Sequence, residues 1–582
     1  MLTRWHIAAP DPTAQRLLME VTGLSPRLCQ VLINRGMTDA VTAQAFLSPS
    51  LHDLQDPYLL HGMDHAVPRL LTAIRQEEPM AIYGDYDVDG ITGTALLVTF
   101  FRELGFSVPY YIPERAREGY GVNADAIRQL ASQGVQLLIT VDCGSTAVEE
   151  VALARRLGME TIITDHHQPP PVLPEAVAVL NPHQPACTYP NKHLCGVGMV
   201  FKLLTALRAA LRHAGVLTSQ LPNLKRHLDL VTLGTIADVM PLREENRVLV
   251  HYGLQELTQT RKPGLQALRH VSGRTGKTVH VGEVGFQLAP RLNASGRLSS
   301  AAHSVALLLA SDPQEAARLA QGLDEVNQQR RALQQAVEQA VHSRIAHQYG
   351  GSPPAAIIMG DPEWHLGVVG IVASKVAEAY HRPTFLLQIN GDTARGSGRS
   401  IPAFNLYQGL QHCARWLHQF GGHKYAAGLT MEAALLPALQ EDFIRFVDDT
   451  LGPDDLRPIL HLDAVITLHE ITTDLIADLA RCAPHGPGNP LPLFCAQGLR
   501  IVSPIRTLGA QSQHARFRVA QDGSTREVIA FQQAERLMAL PAGTVVDIAF
   551  TPVINTWRDQ HTVELQLRAI RPTERDLTME NH

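Results

Sequence analysis

The chain has 582 residues, more than one hydrophobic core can serve, so three or four domains are expected. Its 45% hydrophobic and 18% charged residues are ordinary for a globular protein, and no run of about 18 uncharged apolar residues occurs, which argues against a helical membrane span. A formal net charge of −6 excludes a surface that is basic all over but leaves room for local basic tracks. The seven cysteines (Cys29, Cys143, Cys187, Cys195, Cys413, Cys482 and Cys495) form no CxxC pair. They support neither a zinc ribbon nor a disulfide framework and fit a reducing compartment. The first residues, Met1 to His6, carry no apolar stretch, so no signal peptide is expected and the location expected is cytoplasmic.

In chain order, residues 1–60 read as a segment of small helices, with Leu28, Val31 and Leu32 on one apolar face and Ala43, Phe46 and Leu47 on another. From residue 80 short apolar strands alternate with helices. Strands are expected at 80–83, 135–141, 159–164 and 177–180, and helices at 91–104, 146–157, 226–240 and 248–258. Such alternation implies a parallel sheet with helices on both faces. A long helix follows over 313–348, with Ser311 as its expected N-cap and Pro313 in its first turn. Its stripe of Ala316, Leu319, Leu323, Val326, Leu333, Val337 and Val341 is Ala-rich and interrupted by Arg330, which suits a connector between domains better than a dimeric coiled coil. Gly350-Gly351-Ser352-Pro353-Pro354 ends it. A second α/β region covers 355–450. Five strand-like runs in the last part (499–502, 515–519, 528–531, 545–553 and 563–569) suggest an OB-like β-barrel. There Phe517 alternates with Arg516 and Arg518 and is expected to point into the core, while Trp557 is the candidate for stacking a base.

Two stretches are locally basic. Residues 261–300 hold seven basic side chains against Glu283 alone, and 382–424 hold five against Asp392 alone. Such patches suit phosphate contacts, although either could be a solvated face.

The chemistry concentrates elsewhere. Gly84-Asp85-Tyr86-Asp87-Val88-Asp89-Gly90 follows an apolar strand directly, Asp142 ends the next, and Asp165-His166-His167 ends the third. In open α/β sheets, sites form outside the carboxyl ends of the strands. The segment Gly234 to Asp238 adds another carboxylate. Asp85 cannot open an EF-hand loop, because the twelfth position is Leu96, where a glutamate is required. Any one of these aspartates could be a helix cap, but so many carboxylates gathered in one crevice repel each other unless cations neutralise them. Carboxylates with one or two imidazoles and no thiolate favour manganese or magnesium, and a set this large can hold two ions about 3.5–4 Å apart, as phosphoryl chemistry requires.

The set GDYDVDG (84–90), VDCG (141–144), DHH (165–167) and GTIAD (234–238) resembles motifs I to IV of the DHH phosphoesterases, and FGGHKYAAG (420–428) resembles the GGH motif of the companion DHHA1 domain. Pro113-Glu114-Arg115 with Gly119-Tyr120-Gly121, the segment 290–297 and Ser397-Gly398-Arg399-Ser400 are similar to the branch of that family that degrades single-stranded DNA. The resemblance runs from about 60 to 572. It implies an α/β multidomain chain: a DHH catalytic domain with a parallel sheet at 61–310, the connector helix at 311–352, an α/β DHHA1 domain for substrate at 353–455, and the OB-like nucleic-acid-binding barrel at 456–575, after the N-terminal helical segment 1–60.

It also implies roles. Asp85, Asp87, Asp89, Asp142, His166 and Asp238 would hold two divalent cations, Mn2+ or Mg2+, with Asp142 bridging and Asp85 either a direct or an indirect ligand. Asp165 would orient His166, and His167 would face the scissile phosphate. Ser397, Arg399 and His423 would lie near the terminal phosphate, and Arg115, Arg291 and Arg297 would contact the DNA backbone. The implied activity is stepwise 5′-to-3′ hydrolysis of single-stranded DNA to mononucleotides, in repair and recombination, in a bacterium; a monomer is expected because no stripe suited to a coiled-coil dimer is present. Single-strand-binding protein and a RecQ-type helicase are the implied partners. Two other readings stay open on the same core: a phosphatase or nuclease for short oligonucleotides, and a non-catalytic scaffold that binds single strands.

Overall fold

The structure is a computed structural model that describes residues 3–115, 117–216, 221–557 and 560–573. The chain forms two compact units: Asp56–Asp238 and Tyr252–Pro458 with the first few residues make one, and Trp5–Gln55, Val239–His251 and the part from Ile459 onward make the other. Among the described residues no helix is long and apolar enough to cross a membrane.

The first unit is built on a five-stranded parallel sheet in the order Tyr110–Tyr111, Met80–Gly84, Leu137–Val141, Glu160–Thr164, Ala178–Leu180. Every residue of Met80–Gly84 and Leu137–Val141 is buried, as expected of strands covered on both faces. The two-residue edge strand Tyr110–Tyr111 lies where the sequence showed no strand signal; it is too short to carry a pattern. Because the second strand in the chain lies to one side of the first and the third to the other, the winding reverses between Met80–Gly84 and Leu137–Val141. That is the switch point where such sheets open a crevice. Register does the rest. Gly84 pairs with Val141 and Val141 with Thr164, so the next residues, Asp85, Asp142 and Asp165, stand at one level on three adjacent strands.

The connector is a single helix, Pro313–Tyr349. Its N-cap is Asp312 rather than Ser311: the carboxylate accepts from Glu315 N at 2.7 Å, one residue nearer the helix than the serine can reach. Its buried face also differs from the expected stripe. Leu333 is exposed, and Arg330 belongs to the buried face instead of interrupting it. Apolar residues line both ends of that face (Ala316, Ala320, Leu323; then Val337, Val341, Ile345), while Asp324, Asn327, Arg330 and Gln334 fill its middle. Arg330 donates to Asn327 Oδ1 at 3.1 Å and Gln334 Oε1 at 2.9 Å, so the middle is polar but internally satisfied at its cation. Beyond it, a second five-stranded sheet runs Gln419–Gly422, Ala426–Glu432, Thr393–Arg399, Thr384–Asn390, Ile357–Asp361. Helix Leu366–Tyr380 packs on one face, Leu406–His412 and Leu436–Thr450 on the other.

In the second unit, strands Phe494–Ile501, Val545–Trp557, Gln560–Pro572, Ser524–Ala530 and His514–Gln521 pair in that order, and the last pairs back to the first, closing a five-stranded barrel. Phe517 is 2% exposed and sits in the core, with Arg518 outside, as the alternation requires. The helices Pro12–Thr22, Pro26–Asn34 and Ala40–Leu47 share one hydrophobic core with this barrel, so the N-terminal segment is part of the barrel unit rather than a segment apart. Arg247 bolts the segment 239–251 into the same unit. Its guanidinium lies 3.7 Å over the Phe46 ring and donates to the carbonyls of Phe46, Cys482 and Ala483 at 2.8–2.9 Å.

Candidate metal centre and substrate cleft

The acidic cluster is assembled from four chain segments, 85–89, 142, 165–167 and 238, and each is aimed by local structure. Asp87 caps helix Val88–Glu103, accepting from Asp89 N at 2.9 Å and Gly90 N at 3.3 Å, so the N-cap reading of this aspartate is correct as far as one of its oxygens goes. Asp89 points at the start of helix Gly196–His213 and accepts from the amides of Gly196 and Val197 (2.8 Å for the latter). These are unsatisfied helix N-terminal donors that favour an anion. Asp142 holds φ +63°, a left-handed conformation that turns its side chain into the crevice. Gly196 makes room for it: a Cβ there would lie 2.6 Å from Asp142 Cβ. Asp238 is the C-cap of helix Leu228–Ala237, which ends before the 240 expected from the sequence.

His166 Nε2 lies 3.0 Å from Asp142 Oδ1, 3.6 Å from Asp89 Oδ2 and 3.6 Å from Asp238 Oδ2. Three triads result among the described residues, Asp89–His166–Asp238, Asp85–Asp87–Asp142 and Asp142–His166–His167, each with ligand atoms within 4.8 Å of one another. Asp142 joins them, since it also touches His166. Asp85 Oδ1, Asp142 Oδ1 and Asp238 Oδ2 are buried and make no hydrogen bond, which is costly unless something else satisfies them. Burial and mutual repulsion raise the carboxyls of Asp85, Asp89 and Asp142 above the carboxylate range, and Asp238 is pushed up to about 8 by burial and by Asp89 and Asp87. A pair of divalent cations removes both penalties, and oxygen donors with one imidazole are what Mn2+ and Mg2+ take. The residues therefore fit two ions, and Asp142 is near candidate ligands of both groups.

Asp165 departs from its expected role. It does not reach the His166 ring. Its Oδ1 lies 2.9 Å from His167 Nδ1 and accepts from the amides of His166 and His167, while its Oδ2 accepts from Ser145 N. The ring it orients is His167. Burial works against a charged His167, but the hydrogen bond and charge of Asp165 win and push its pKa up to about 9. The same bond holds the Asp165 carboxyl down to about 2 against its burial.

Beside the cluster lies a cleft of about 800 Å3 lined by Tyr86, Arg115, Tyr120, Arg297, Ser397 and Arg399 among others. Arg399 donates to Ser397 Oγ at 2.8 Å. Burial and the neighbouring cations Arg115, Arg330 and Arg399 lower the Arg297 pKa to about 10, and burial with Arg115 lowers that of Arg399. Such crowding of two half-buried guanidiniums, Arg297 and Arg399, beside the exposed Arg115 favours an anion. Two expected contacts are not brought here. Arg291 is 8% exposed, with Nε 2.8 Å from Asp324 Oδ1 and another nitrogen donating to Gln287 O at 2.7 Å, so its fork is committed to the interior. His423 is exposed in the hairpin turn after Gln419–Gly422 and is not among the residues lining the cleft. Trp557 closes a strand, and its side chain lies outside the described residues.

The sequence reading missed several residues. Tyr120 Oη lies 3.0 Å from His167 Nδ1 and donates to the Asp142 carbonyl at 3.3 Å. The Tyr86 ring lies under Arg115 at 5.2 Å and edge-on to Tyr120. Both tyrosines stand inside quoted motifs, and that was the available signal. Asn181, which donates to His167 O at 2.8 Å and to Ser145 Oγ at 2.9 Å, had none beyond following a strand.

This fold and site define a DHH-family protein: the DHH family N-terminal domain matches residues 79–235, the DHHA1 domain 352–451 and the RecJ OB domain 462–569. Within that class the chain belongs to the RecJ family. It is 37% identical to the single-stranded-DNA-specific exonuclease RecJ of Bacillus subtilis, over 97% of this chain and 70% of that one. It is 35% identical to the RecJ of Escherichia coli, over 94% and 96%. The crystal structure of RecJ in complex with Mn2+ from Thermus thermophilus has a TM-score of 0.83 at 31% identity, covering 98% of this chain and 80% of that one.

Proposed function

We propose that this chain is a two-cation exonuclease that hydrolyses single-stranded DNA from the 5′ end to mononucleotides, in DNA repair and recombination. The observation that carries the reading is the adjacency of two sites of opposite need: an acidic cluster that requires cations and an arginine cleft that requires an anion, joined through Tyr86 and Tyr120. A terminal phosphate held by the guanidinium forks of Arg399 and Arg297, with Ser397 and Arg115, leaves the first phosphodiester over the acidic cluster. Bound there, two divalent cations, Mn2+ or Mg2+, would supply a water of lowered pKa as nucleophile and neutralise charge on the phosphate. Asp165 fixes the His167 ring, which donates a proton or a hydrogen bond to the phosphate or the leaving oxygen. Tyr120 Oη meets the same ring nitrogen, Nδ1, that Asp165 holds. The complete ligand set favours an enzyme over a scaffold, and the added barrel favours a polymer over short oligonucleotides.

In this reading the protein works as a monomer in the bacterial cytoplasm, with single-strand-binding protein and a RecQ-type helicase as partners. Family resemblance supports the partners, and the lack of a stripe suited to a coiled-coil dimer supports the monomer.

The test is a nuclease assay on a single-stranded oligonucleotide of about 40 bases, each end blocked in turn, with Mn2+, Mg2+ or chelator. Stepwise release of mononucleotides only from a free 5′ end, and only with metal, is expected. Cleavage confined to fragments of two to four bases would favour the short-substrate reading, and no cleavage with intact binding would favour the scaffold.

A further inference from the structure

We propose that Phe286 is a stacking platform for a nucleobase of the strand that stays bound after the cut, on the side of the metal centre away from the arginine cleft; the inference rests on the exonuclease reading above. Phe286 is 78% exposed. It stands in the π-helical turn Val284–Leu288, which joins Val281–Glu283 to Ala289–Leu298 in one continuous helix. π turns are rare, and they concentrate at functional sites because the extra residue re-aims side chains.

The turn is held firmly around this one residue. Val284 and Leu288 are buried. Gly285 faces Ile236, to which a Cβ would lie 3.8 Å, and Ile236 is two residues before the candidate ligand Asp238. Gln287 accepts from Arg274 Nε at 2.9 Å through its side chain and from Arg291 through its carbonyl. Phe286 alone is left facing outward.

Pro290, Asn293 and Arg297 follow Phe286 on the same side, at helical intervals of three or four residues. Asn293 Oδ1 accepts from Val88 N at 3.1 Å, in the first turn of the helix that Asp87 caps. Arg297 lines the cleft. One helix face therefore passes from the arginine cleft, along the metal centre, to Phe286. From Asn293 to Phe286 is about 10 Å along the axis. That is the span of a few nucleotides, which rise about 3.4 Å each when stacked. A strand with its end in the cleft and its first phosphodiester at the acidic cluster brings a following base to the ring. Stacking on an aromatic face tolerates every base, as an exonuclease requires.

The experiment compares wild type, Phe286→Ala and Phe286→Trp on a 5′-phosphorylated 20-mer and a 5′-phosphorylated dinucleotide, with Mn2+. Binding of the labelled 20-mer in chelator is followed in parallel by fluorescence anisotropy. For Phe286→Ala, KM on the 20-mer and the Kd in chelator are expected to rise about 5- to 100-fold, the range of one lost stack, with a much smaller change on the dinucleotide and with recovery in Phe286→Trp. A 20-mer lacking one base should lose affinity for wild type at one position where it loses none for Phe286→Ala. Equal losses on both substrates, an unchanged Kd, or no such position would overturn the platform. If wild type cleaves neither substrate, the exonuclease reading fails, and the anisotropy and base-deletion series still decide the role of Phe286 in strand binding.

Discussion

Two regions of the catalytic unit bring charge to the site in different ways. At the carboxyl ends of Met80–Gly84, Leu137–Val141 and Glu160–Thr164, parallel pairing in register puts three aspartates at one level on one edge. Any polar residue placed there must face the crevice, so position in the chain predicts direction. On helix Ala289–Leu298, direction depends on phase. Arg291 and Arg297 sit six residues apart, about 240° around the helix, and go to different places: Arg291 into an ion pair with Asp324, Arg297 into the cleft. A strand end fixes where a charge points, whereas a helix fixes it only once its packed face is known.

The sharpest way to break this contrast is at the strand ends. Asp142→Ala or His166→Ala is expected to reduce hydrolysis to background while single-strand binding, measured by anisotropy, stays near wild type. Full activity in either variant sinks the two-ion arrangement. The two arginines separate next. Arg399→Ala and Arg297→Ala should each lower kcat/KM on a 5′-phosphorylated end by about 10–100-fold, the loss of a charge-assisted contact, with little change in melting temperature. Arg291→Ala strands Asp324 in the interior and should instead destabilise the fold by about 3–5 kcal/mol in denaturant unfolding. If Arg291→Ala hurt activity on that end without loss of stability, the placement of its side chain would be wrong. Asp312→Ala should cost only about 1 kcal/mol, against almost nothing for Ser311→Ala, and the reverse order would restore Ser311 as the cap of the connector.

What was legible follows the same physics. Apolar strand runs, the closed barrel of five strands and the convergence of Asp85, Asp87, Asp89, Asp142, His166 and Asp238 could be read because period and position along a strand determine where side chains go. The role of Asp165 could not, since its partner differs by one residue, His167 for His166, and only the turn geometry after Thr164 decides which ring swings back. The connector's buried face was misjudged because its middle is polar: Asn327 and Gln334 accept from Arg330 there, and no hydrophobic pattern marks a polar interior. The N-terminal helices gave the right apolar faces, but nothing local says that their core lies more than 400 residues away, with Phe494 and Phe517.

On the proposed reading the acidic cluster would hold two cations, with Asp142 a ligand of both. Counting Mn2+ bound per chain by calorimetric titration, with nuclease activity followed on the same samples, tests it most directly. Two ions per wild-type chain, loss of at least one in Asp142→Ala, and activity that rises only as the second site fills are the predicted result. A single ion supporting full activity, or unchanged stoichiometry in Asp142→Ala, would contradict it.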